Sequence, residues 1–158
     1  MKKIDEIAEN VRTIRLHMVE KTPTHFDMRH VITAFFGALF FGFTFVLKGL
    51  LFDVGFALTN WELIMLTLAT WIILTAEIYF VGYARVPKAE QQKRKFGQFW
   101  AKRFFAYYFI ALFTSFMLLS LYGVGKFVAD PYSVFKLVIA ISLPTAVGAA
   151  AADLLGKY

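Results

Sequence analysis

Apolar positions along this chain collect into four long runs, residues 31–52, 63–81, 104–122 and 134–152, with polar or charged stretches between them. Each is about the twenty residues that cross ~30 Å of hydrocarbon as a helix, the form in which a backbone in lipid satisfies its own polar groups. The pattern predicts an all-α integral membrane protein with four transmembrane helices, forming a single membrane domain over residues 29–158. Ahead of it, Ile4, Ile7, Val11, Ile14 and Met18 recur at spacings of three and four, which predicts an amphipathic helix over residues 1–22. Charges of both signs lie between them, a mixture that suits a protein surface better than a lipid interface. Thr22-Pro23-Thr24 ends this helix, and Thr24 and Asp27 stand where caps for the next are expected.

Composition narrows the picture. With 59% hydrophobic and 18% aromatic residues, 19 of them Phe, little polar surface is left for a separate soluble domain. The absence of cysteine excludes disulfides, thiolate metal sites and thiol catalysis. No apolar signal core precedes the first run, so that run is expected to insert as an uncleaved anchor.

Charge then sets an expected orientation. Lys48, Lys126 and Lys136 fall on one side of the four runs, and the other fourteen of the 17 Lys and Arg fall on the opposite side. The positive-inside rule therefore predicts a multi-pass protein of the cell membrane with both termini, and a basic loop over residues 84–103, in the cytoplasm. The net charge of +6 reads as a topological signal, and nucleic acid is not expected as a partner. The connections on the other side, 53–60 and 128–133, are short, which predicts two hairpins of like orientation, spans one with two and three with four.

Polar residues within the runs supply the candidate chemistry. On a helical period, span one groups His30, Thr33, Gly37, Thr44 and Lys48 on one face, with Ala34, Ala38 and Gly42 as a small-residue packing strip on another. Span two aligns Asn60, Thr67, Thr70 and Glu77; span three aligns Tyr108, Ser115 and Tyr122; span four aligns Ser142, Thr145, Ala149 and Asp153. Such stripes either surround an ion path or act as ordinary interhelical glue. Glu77 weighs most, because a carboxylate inside a span costs about 2–3 kcal/mol unless it is paired or wetted. Arg29, His30 and Arg85 are its expected partners in a structural ion pair, the competing role being ion or proton handling. Asp153, nearer a helix end, is expected to reach water. Pro144 frees the carbonyl near Ala140.

No metal site is expected, because His25 and His30, five apart, do not share a helical face. Hydrolase, kinase and dinucleotide motifs are missing, so neither an enzyme nor a cofactor is expected. The stretches Arg29-His30-Val31-Ile32-Thr33-Ala34-Phe35-Phe36-Gly37-Ala38-Leu39, Lys48-Gly49-Leu50 and Leu143-Pro144-Thr145-Ala146-Val147-Gly148-Ala149 resemble a family of small archaeal and bacterial integral membrane proteins, a domain of unknown function. The resemblance implies a four-span membrane fold and carries no site residues.

Two functions follow as expectations. One is a homo-oligomeric channel or carrier for a small ion, a cation or proton, its path lined by Thr33, Thr44, Thr67, Thr70, Ser142 and Thr145, with Glu77 and Asp153 at the inner mouth. The other is a scaffold or accessory subunit whose N-terminal helix docks a partner and whose Glu77 locks helices together.

Overall fold

A computed structural model of the chain describes residues 26–84, 96–128 and 130–155, and among them it is helical with no strand. The predicted helix over residues 1–22, Thr24, Arg85 and the first part of the basic loop lie outside the described residues.

Helix α1 spans Met28–Leu47 and ends before the apolar run does. Asp27 occupies its N-cap position, yet its side chain makes no capping hydrogen bond. The run is broken at Gly49, whose φ of 68° is a left-handed conformation that glycine adopts without penalty. The apolar residues that follow form a separate short helix, α2, Leu50–Ala57. Hydropathy registers both helices as one segment because nothing polar marks the turn.

Helix α3, Asn60–Glu77, begins with a capping box. The Thr59 backbone N–H donates to Glu62 Oε2 at 2.7 Å, and the Glu62 N–H donates to Thr59 Oγ1 at 3.4 Å. Thr59→Ala should therefore lower stability by about 1 kcal/mol, read as a shift in the unfolding transition of the purified protein. At its other end α3 runs on as a π-helix, Ile78–Tyr83, closed by a 2.8 Å bond from the Ala84 N–H to the Tyr79 carbonyl.

Helix α4, Phe96–Leu121, starts well inside the stretch read as a basic loop, so Lys102 and Arg103 belong to a helix. A one-turn helix α5, Val124–Phe127, follows Gly123, also at φ 68°. Helix α6, Pro131–Leu155, has Pro at its first position. Its entry is capped by Asp130, which accepts from the N–H groups of Tyr132 at 3.2 Å and Ser133 at 3.1 Å. The Tyr132 backbone bond, and then Ser133, hold the Asp130 carboxyl below the usual carboxylate range. Its capping contribution is thus complete at neutral pH and is lost as pH falls through that lowered value.

Among the described residues four helices are long and apolar enough to cross a membrane: α1, α3 with its π segment, α4 and α6. Helix α6 is the hub, 61% buried where the second span is only 17% buried, and it packs against the other three. Helix α4 packs on α6, whereas α1 and α3 make no substantial contact. The reason is α2, which lies against α6 and carries the chain across it, so that α3 arrives on another face of the hub. A Cβ on Gly55 of α2 would stand 2.5 Å from Leu137 Cδ2, which shows how close that crossing is.

Small residues make the hub possible. The buried face of α1 is His30, Ala34, Ala38, Gly42 and Val46, a row of fourth residues that seats in the grooves of its neighbours. At the crossing of α1 and α6, a Cβ on Gly37 would lie 2.3 Å from the Gly148 carbonyl oxygen and 2.4 Å from Ala152 Cβ. The Ala34, Ala38 and Gly42 strip is therefore sealed inside the chain and is not a surface for a second copy. His30 travels with that strip, and Thr44, with which the helical period grouped it, is exposed. A row of fourth residues drifts around the helix, whereas the predicted face ran parallel to its axis.

Candidate functional site

Three helices converge on one buried carboxylate. Asp153, in the last turns of α6, is 2% exposed; His30, near the start of α1, is 5% exposed; and Tyr107 of α4 is fully buried. His30 Nδ1 lies 2.5 Å from Asp153 Oδ1, and the Tyr107 hydroxyl donates to Asp153 Oδ2. With Nδ1–H donating to the carboxylate, the imidazole lone pair is left at Nε2, free to take a proton. Phe26 stacks on the imidazole, with ring centroids 5.6 Å apart, and meets Tyr107 edge-on at 6.0 Å.

A cation completes the group. Arg103, one turn before Tyr107 on α4, is 4% exposed, and its guanidinium lies 3.8 Å over the Phe99 ring. Its Nε is buried without a hydrogen-bond partner. With Arg103 cationic and Asp153 anionic, protonating His30 would leave these three buried residues one positive charge in excess.

The expected ion pair of Glu77 with Arg29 or His30 is replaced by this arrangement, because His30 is taken by Asp153. Glu77 is partly buried, and its Oε2 has no hydrogen-bond partner. It stands at the junction of α3 with the π segment, a kind of helix defect frequent at functional sites. Asp153, expected to reach water, is instead held in the interior by two donors from other helices.

The hydroxyls divide into two sets. Thr33 and Thr44 donate to the Arg29 and Phe40 carbonyls of their own helix, each at 2.9 Å, on its exposed side. Thr67 and Thr70 likewise bond the Leu63 and Leu66 carbonyls, with Thr70 fully inside. Ser142 donates to Ile139, while Thr145 meets the Ile141 carbonyl at 2.9 Å and Ser115 Oγ at 3.0 Å across the α4–α6 contact. These last bonds flank Pro144, inside α6. In span three Ser115 is buried, but Tyr122 of the same predicted stripe is exposed. Among the described residues no three His, Cys, Asp or Glu side chains converge on a metal position.

A family model described as "Putative integral membrane protein (DUF2391)" matches residues 5–155, nearly the whole chain. The chain belongs to that family. No curated protein and no solved structure gives a match. Membership agrees with the four membrane-length helices and makes this an integral membrane protein of the DUF2391 family. Within its site, sequence reasoning missed Arg103, placed in the basic loop, and Tyr107, which belonged to none of the polar stripes. The available signal was their separation of four, which stacks a cation and a phenol on one helical face.

Proposed function

We propose that this protein is a membrane carrier or channel for a small ion, that the ion is the proton, and that it is exchanged at the His30–Asp153–Tyr107 group. The observation that carries this reading is a carboxylate and an imidazole, joined at 2.5 Å and withdrawn from solvent, between three membrane-length helices. Ionisable side chains inside a membrane are costly, and functional sites are where that cost is most often retained. In this reading His30 Nε2 receives the proton, Asp153 stabilises the imidazolium, and Glu77, with its unpartnered oxygen, is a second station at the same end of the bundle. Thr70, Ser142 and Thr145 provide the polar interior beyond, and the outward-facing Thr33 and Thr44 drop out of the path.

The basic end carrying the group faces the cytoplasm in this proposal, with both termini. A homo-oligomer would form through the outer aromatic face of α1, where Phe36 and Phe40 are exposed, since the small-residue strip is occupied within the chain.

The competing reading is an accessory or scaffold subunit in which the buried group only locks α1, α4 and α6 together. It is favoured by one observation: Thr67, Thr70, Ser142 and Thr145 each already bond a carbonyl of their own helix, as packing hydroxyls do. The two readings separate in liposomes containing the purified protein, with K⁺, Na⁺, H⁺, Cl⁻ and divalent cations compared and Glu77→Gln as the paired variant. Proton flux that falls in the variant while folding is retained supports transport with Glu77 on the path. Silence for every ion assigns the protein to the scaffold reading.

A further inference from the structure

At the end of the bundle away from His30 and Asp153, the chain leaves a cavity of about 470 Å³ between the end of α1, the short helices α2 and α5, and the end of α4. Its walls are apolar and aromatic, with Leu47, Phe52, Phe56, Tyr122, Val124 and Phe127 among them. The volume falls in the range of ligand clefts, and its position at the termini of two spans puts it at headgroup depth. Walls of this kind suit a hydrocarbon chain.

Three lysines among the described residues, Lys48, Lys126 and Lys136, stand at this end of the bundle. Lys136 is already engaged, donating to the Leu58 carbonyl at 2.6 Å and lying over the Tyr132 ring. The other two, Lys48 and Lys126, are exposed and make no hydrogen bond or ion pair among the described residues. Each is adjacent in sequence to a wall residue, Lys48 to Leu47 and Lys126 to Phe127. An apolar cavity open at the membrane surface, with two uncommitted lysines next in sequence to its walls, matches a ligand with a hydrocarbon tail and an anionic head.

We propose that this cavity seats an acyl chain of an anionic phospholipid whose phosphate lies between Lys48 and Lys126. A basic side chain near an anionic headgroup is worth about fivefold in partition, and two together on the order of tenfold once screened.

The test is native mass spectrometry of the full chain from bilayers of equal phosphatidylglycerol and phosphatidylcholine. The native protein should retain phosphatidylglycerol on the order of tenfold over phosphatidylcholine, and Lys48→Ala with Lys126→Ala should bring that ratio close to one. Leu47→Trp, at an exposed wall position that leaves the helix core untouched, should reduce retained lipid of both kinds. Equal retention in the native protein, or an unchanged preference in the double variant, overturns the proposal, since the preference would then be absent or arise at the basic end. Undiminished retention in Leu47→Trp overturns the seating of the chain in the cavity.

Discussion

Asp153→Ala is expected to destabilise the protein by about 3–5 kcal/mol, the cost of removing one partner from a buried charged pair. The carboxylate takes bonds from His30 and Tyr107, so its loss strands a ring nitrogen and a phenol in the interior at once. Asp153→Asn keeps the shape and one acceptor, and about 1–3 kcal/mol is expected there. Thermal or denaturant unfolding in a mild detergent checks both, and the order Ala worse than Asn is part of the expectation. A shift below about 1 kcal/mol for the Ala variant would mean that the group contributes little more than a surface ion pair.

The crossing of α1 and α6 carries the second large effect. Gly37→Ala and Gly148→Ala each place a methyl against backbone: the Gly37 Cβ position is 2.3 Å from the Gly148 oxygen, and the Gly148 Cβ position is 2.6 Å from the Gly37 oxygen. Backbone carbonyls cannot rotate out of the way, so the two helices must separate, and losses at or above the upper end of the ~1–3 kcal/mol seen for overpacking are expected. Gly42→Ala is the comparison, because its clashes, 2.5 Å to Thr145 Cγ2 and 2.8 Å to Leu118 Cδ1, are with side chains that have some freedom. Gly97→Ala, whose Cβ would meet nothing within 4 Å, should be neutral or slightly stabilising. An unfolding series ranking Gly37 and Gly148 as the most costly, Gly42 next and Gly97 last would establish the crossing as the tightest contact of the fold.

Hydropathy reached the four membrane-length helices because a twenty-residue apolar run has few other uses. It did not reach the break at Gly49, since a glycine flanked by apolar residues looks the same in a turn as in a span. Nor did it reach the pairing of helices, which depends on where small residues let backbones approach. Ala34, Ala38 and Gly42 were visible as a close-packing strip, but whether α6, α3 or a second copy would fill it was not written in α1. The same limit applies to the site. Glu77 drew attention as the acid deepest in a span, while Asp153 seemed able to reach water. Its partners, His30 and Tyr107, lie 123 and 46 residues away in sequence, and only the α1–α4–α6 packing brings them together.

Whether the buried group carries protons is decided by proton movement into liposomes carrying the native protein or Asp153→Asn, followed with an internal pH-sensitive dye under an imposed gradient, with both preparations verified as folded. Proton exchange at the buried group predicts proton entry for the native protein and entry at the protein-free rate for Asp153→Asn. Native-level entry in Asp153→Asn, or none in the native protein, would contradict it.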